Sequence, residues 1–182
     1  MKLIYAISAG VLALSSSVYA ADGTINFTGD ITANTCTING SQPGAAVQTI
    51  ALGSIPASAL ATEGQTAGNK NFSLELSDCT TALTSVAARF ESLDLASPDG
   101  RLKLSPAVAP AINAENVEII IYDANGNMQP VNGEIPAASY VDLSTGGATK
   151  DATLNYIAAY YATGEATVGT ANSVISYTLS YQ

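Results

Sequence analysis

The 182-residue sequence has no histidine and no tryptophan, and only two cysteines, two methionines and three phenylalanines. Without histidine the usual serine and cysteine triads cannot be assembled. The side chain most often used for general acid–base catalysis is missing as well. Two cysteines with no histidine do not complete a zinc site. Basic residues are also scarce, six Lys and Arg against fifteen Asp and Glu, for a formal net charge of −9. That balance argues against nucleic acid and against anionic membrane surfaces as partners. The acids are scattered, as on a solubilising surface. No acidic pair stands beside an aromatic platform that would mark a sugar-cleaving cleft. Beyond the first twenty residues there is no apolar run long enough to read as a membrane span.

Those first twenty residues read as a removable address. Lys2 supplies a positive start, Leu3 to Leu14 an apolar core too short to span a bilayer comfortably, and "SSSVYA" a small-residue end. Cleavage is expected after Ala20, with Val18 at −3; Ala21 is the alternative, and a retained anchor is the competing reading. About 160 residues then remain, enough for one domain with its own core. Losing Lys2 takes the net charge to about −10. An exported chain with two cysteines points to a single disulfide, Cys36 to Cys79, over a reactive or metal-binding pair. Such a bond closes a loop of about 43 residues and stabilises by roughly 4 kcal/mol in the chain-entropy view.

What the sequence does contain is short apolar alternation. "ITANTCTI" (Ile31 to Ile38), "VQTIALGSI" (Val47 to Ile55) and "NFSLEL" (Asn71 to Leu76) read as strands, the last placing Phe72, Leu74 and Leu76 on one face. "SVAARFESLDL" and "RLKLSP" alternate less cleanly. "VEIIIYD" (Val117 to Asp123) is a stronger strand, and the "ANGN" after it carries the Asn-Gly signal of a hairpin. "LNYIAAYYATG" and "SVISYTLSYQ" complete the series; Pro56 to Gly64 is the one short helical candidate. Asp123, Asn125, Asn127 and Glu134 fall at positions 1, 3, 5 and 12 of an EF-hand-like loop. However, Met128 stands where that loop needs glycine, so a β-hairpin is the expected structure. Many short strands punctuated by turns indicate an all-β sandwich. Its rhythm is immunoglobulin-like, without the tryptophan that packs on the disulfide of antibody domains.

The two ends raise a question of their own. "GTINFTGDI" (Gly23 to Ile31) alternates Ile25, Phe27, Gly29 and Ile31 against Asn26, Thr28 and Asp30, with no turn to supply a local partner. At the other end Ile175, Tyr177, Leu179 and Tyr181 alternate with Ser176, Thr178 and Ser180, and no strand follows. An unpaired edge and an apolar tail on one monomer would aggregate. One molecule's tail in the next molecule's groove removes both problems.

In this order and spacing, "GTINFTGDITANTCTI", Cys79 in "LELSDC", "AAYYATG", Gly169 and the penultimate Tyr181 in "YTLSYQ" resemble the pilins of chaperone–usher fimbriae, of the type 1 major-subunit kind. The resemblance covers the whole mature chain. It implies a six-stranded, incomplete immunoglobulin-like sandwich lacking its last strand, and no catalysis or cofactor. Carried over, residues 1–20 are the signal peptide, 21–30 the N-terminal donor-strand extension and 31–182 the pilin domain. Ile25, Phe27, Gly29 and Ile31 are then expected in a neighbour's groove. Gly169, Ile175, Tyr177, Leu179 and Tyr181 are expected on the C-terminal edge that a chaperone engages. The implied partners are other copies of the chain, a periplasmic chaperone and an outer-membrane usher. The resulting role is a structural fimbrial subunit on the cell surface; a minor or adaptor pilin, or a small adhesin, is the alternative.

Overall fold

The computed structural model describes residues 36–41, 44–145 and 149–182. The leader (1–20) and the donor-strand residues Ile25, Phe27, Gly29 and Ile31 lie outside the described residues. Nine strands follow in chain order: β1 (Thr37–Ile38), β2 (Thr66–Cys79), β3 (Ser85–Glu91), β4 (Leu102–Lys103), β5 (Val117–Asp123), β6 (Val141–Asp142), β7 (Ser144–Thr145), β8 (Lys150–Ala162) and β9 (Ser176–Tyr181). They form two sheets. The larger runs β1-β2-β8-β5-β4, with β7 also on β8; the smaller is β6-β3-β9. All strand-to-strand pairings are antiparallel.

This is the expected all-β sandwich. Five strands are long, and of the first only β1 is regular among the described residues. "VEIIIYD" is β5 to the residue. "NFSLEL" is the second half of a longer strand, β2, which bulges between Ala67 and Lys70. The helical candidate is a single 3-10 turn, Ala57–Leu60, that buries Leu60 and stops short of Gly64. "VQTIALGSI" forms no ladder. Its alternation is real, but a strand needs a neighbour at its edge, and this segment borders a groove instead.

The core sits where the two inner faces meet. Leu74, Leu76 and Leu154 of the large sheet face Val86, Ala88 and Phe90 of the small one. An aromatic trio holds the centre: Phe90 stacks edge-on against Tyr156 at 5.1 Å, and Phe72 lies 5.4 Å from Tyr156. Aromatic pairs at these separations contribute about 0.5–1.5 kcal/mol each beyond their burial. Burial pushes the Tyr156 phenol up to about 12, although a hydrogen bond from the Ala88 backbone works the other way. Cys36 and Cys79 are joined in a disulfide and are fully buried. The bond ties the chain entering β1 to the end of β2.

The loop after β5 is the expected hairpin, closed by the Asp123 N–H donating to the Asn127 carbonyl at 2.9 Å. The Asp123 carboxylate is occupied by its own loop. It accepts from the backbone N–H groups of Asn125 and Asn127, from the Asn127 amide and from the Ser139 hydroxyl. Burial alone would raise its pKa, but these bonds outweigh it and hold the carboxyl below its ordinary value. The stabilisation is therefore present above about pH 4 and is lost as pH falls through the lowered folded-state value. Asp123→Ala should cost about 1.5–3 kcal/mol at neutral pH. The gap between variant and wild type in denaturant unfolding should close progressively below about pH 4. A pH-independent difference would show that the carboxylate is not the source.

Candidate functional site: an open groove beside the last strand

The register between β3 and β9 decides which way the last strand offers its backbone. Val86 faces Tyr181, Ala88 faces Leu179 and Phe90 faces Tyr177. One step further, Ser85 and Gln182 exchange both hydrogen bonds, at 3.0 and 3.2 Å. Opposed residues in an antiparallel pair alternate between bonded and non-bonded positions. Ser180, Thr178 and Ser176 therefore bond to β3, whereas the N–H and C=O groups of Tyr177, Leu179 and Tyr181 point away from it. Among the described residues β9 pairs with β3 alone, so the backbone groups of these three residues have no strand partner among them.

Beyond that edge lies a groove of about 710 Å³. One wall is the stretch from Ser173 to Tyr181, the other is the ladderless segment from Ala46 to Leu52, and the floor includes Phe72, Leu74, Phe90, Ile119 and Ile121. The side chains of Ile175, Tyr177, Leu179 and Tyr181 are half-buried and pack on the core from the β9 side. Burial raises the pKa of both Tyr177 and Tyr181 from the ordinary phenol value. Tyr181 packs on the core cluster that includes the disulfide, at that end of the groove. The far wall is pinned where the Tyr160 hydroxyl donates to the Gly53 carbonyl at 3.2 Å.

Polar braces hold β9 on its outer face. The Thr178 hydroxyl donates to Glu91 at 2.9 Å, and the Tyr140 and Ser180 hydroxyls meet at 3.0 Å. The Gln182 oxygen receives the Thr84 N–H, the Thr84 hydroxyl and the Ser85 N–H. The groove brings no carboxylate, amine or thiol to its lining. What it offers is an apolar trough with a row of unpaired backbone groups along one side, the geometry of a site for an added β-strand.

A family model for fimbrial proteins matches residues 25–182. The chain belongs to the fimbrial protein family. It is 38% identical over 167 residues to the major fimbrial subunit SMF-1 of Stenotrophomonas maltophilia, covering 89% of this chain and 94% of that one. The F17 fimbrial protein of Escherichia coli is 35% identical over 182 residues, covering 95% and 96%. In fold it is similar to the P pilus rod subunit PapA, with a TM-score of 0.58 at 18% identity over 81% of this chain and 99% of that one. A subunit in a chaperone–usher pilus rod superposes with a TM-score of 0.59 at 18% identity, covering 92% and 100%. This pilin is accordingly a structural subunit, exported and assembled into surface fimbriae, and not an enzyme.

Of the residues singled out at the C-terminal end, the structure brings Ile175, Tyr177, Leu179 and Tyr181 together along one wall of the groove. Gly169 stands apart and does not line it. A Cβ at Gly169 would come within 2.3 Å of the Ala114 nitrogen and 2.4 Å of the Asn113 carbonyl carbon. Its lack of a side chain lets the loop before β9 press against the loop before β5. Sequence reading missed the opposite wall: Val47, Ile50 and Leu52 belong to a segment, Val47 to Ile55, read as an ordinary strand.

Two substitutions separate these roles. Gly169→Ala should destabilise the fold by about 1–3 kcal/mol through overpacking, seen as a lower unfolding midpoint in denaturant. Tyr181→Ser leaves the ladder to β3 intact but strips the groove's disulfide end of its aromatic cover. It should lower the periplasmic yield of soluble subunit, read by quantitative immunoblot. Unchanged yield would make Tyr181 an ordinary edge residue.

Proposed function

We infer that the groove is filled by a strand from another molecule, and that this is how the pilin polymerises. The segment Ala21–Asp30 of one copy enters the groove of the next, with Ile25, Phe27 and Gly29 turned to the floor and Ile31 facing it where the extension merges into the domain. The observation that carries this reading is the outward-pointing backbone of Tyr177, Leu179 and Tyr181 above an apolar floor.

The dimensions agree. Ser173 to Tyr181 is nine residues of wall, about 30 Å of extended chain, and the ten-residue donor segment is of the same length. Burying Ile25, Phe27 and Ile31 contributes roughly 1.5–3 kcal/mol each, and each ladder hydrogen bond about 0.5–1.5 kcal/mol. Gly29 is the one position of the alternating set that brings no side chain to the floor. A head-to-tail contact of this kind does not close on itself, so it propagates as a filament.

A freshly exported subunit has no neighbour, and its groove is a hazard until one arrives. A periplasmic chaperone lending a strand to the same β9 edge, exchanged for the next subunit's extension at an outer-membrane usher, fits that need.

Deleting Ala21–Asp30 separates giving from accepting. The shortened subunit should end fimbriae when mixed with wild type, yet form none alone by electron microscopy. Full-length chains should run as a ladder that resists SDS until boiled, and Gly29→Leu should weaken that ladder. Fibres of normal length assembled from the deletion variant alone would remove the mechanism.

A further inference from the structure

Seven large apolar side chains are exposed among the described residues, and four of them, Val108, Ile112, Val168 and Val174, lie on two adjoining loops. Val108, Ile112 and Val168 are 85%, 75% and 88% exposed, so the core does not account for them. From Leu104 to Ala114 and from Ala166 to Gln182 the chain carries no charged side chain, in a protein with fifteen acids.

The two loops form a braced platform. The Thr170 N–H donates to the Ile112 carbonyl at 2.8 Å, and the Ala114 N–H to the Thr170 carbonyl at 2.9 Å. The Glu115 N–H donates to the Thr167 hydroxyl at 2.8 Å. Gly169 permits the close approach that these bonds require. An exposed apolar patch on a rigid support is characteristic of an interaction surface.

The geometry points to the body of a second copy as its occupant, the copy whose N-terminal segment fills the groove; this rests on the reading above. Every strand ladder among the described residues is antiparallel, the more stable arrangement per residue. A donor antiparallel to β9 starts beside Tyr181 and ends beside Ser176. The donating copy's own domain begins where its donor segment ends. The loop from Ala166 to Val174 leads directly into that end of β9, and Val174 lines the groove there. The apolar platform is thus continuous with the groove at the point where the neighbour's domain must sit. Charge favours the same surface: each copy is strongly acidic, like charges repel, and these two stretches of loop carry no charged side chain of their own.

Photo-cross-linking tests it. p-Benzoylphenylalanine is placed in turn at Ile112, Val168, Tyr177 and, as an exposed control away from the platform, Leu93. Irradiation is performed on isolated two-copy assemblies, which have no lateral neighbour, and on fimbriae; the products are then boiled and mapped by mass spectrometry. Ile112 and Val168 should give covalent dimers several-fold above the Leu93 background in both preparations, joined to residues of the donating copy beyond its donor segment. Tyr177 should join to residues 21–31. Background levels at Ile112 and Val168 with a normal Tyr177 product would overturn this surface and leave the groove reading intact. Cross-links at the platform in fimbriae only would also overturn it, since the contact would then be lateral. Platform cross-links in both preparations without a Tyr177 product would uphold the surface and count against the groove reading.

Discussion

Half of the backbone of β9 is aimed at a partner that the described chain does not supply. The alternation of an antiparallel ladder leaves no choice in this: once Ser176, Thr178 and Ser180 bond to β3, Tyr177, Leu179 and Tyr181 must face the other way. Because successive side chains also alternate, the residues with free backbone groups are the ones whose side chains turn to the core. An incoming strand therefore finds hydrogen bonds and apolar surface at the same three positions.

The rest of the fold keeps that edge in place while it is unfilled. An aromatic trio, Phe72, Phe90 and Tyr156, joins the two sheets near the groove floor. The disulfide secures β1 to β2, and Tyr181 packs on the core cluster that contains it. The outer face of β9 is braced by Glu91, Tyr140, Thr84 and Ser85. Its inner face can thus remain apolar and accessible without the strand leaving the sheet.

Much of this was legible in the sequence, for identifiable reasons. Long strands such as β5 and β8 announce themselves because both their pattern and their neighbours are regular. Export plus two cysteines was enough to anticipate the Cys36–Cys79 bond. The alternating Ile175, Tyr177, Leu179 and Tyr181 marked one wall of the groove. What stayed hidden depends on contacts between distant segments. The stretch from Val47 to Ile55 alternates like any strand, and nothing local tells that it borders an opening. Gly169 was grouped with the C-terminal edge by its position in the chain. Only the approach of Asn113 and Ala114 reveals that its missing side chain serves loop packing. Exposure of Val108, Ile112 and Val168 is likewise invisible in a one-dimensional pattern that reads them as unremarkable loop residues.

The central claim is that an added strand bonds to Tyr177, Leu179 and Tyr181 and not to the residues between them. Amide hydrogen exchange resolved to single residues tests it most directly. The chain lacking residues 21–30 is compared with and without a synthetic peptide of residues 21–31. The account predicts that Thr178 and Ser180 are already slow without peptide, that Tyr177, Leu179 and Tyr181 are fast, and that peptide slows those three selectively. Uniform slowing along β9, or three amides already protected without peptide, would contradict it.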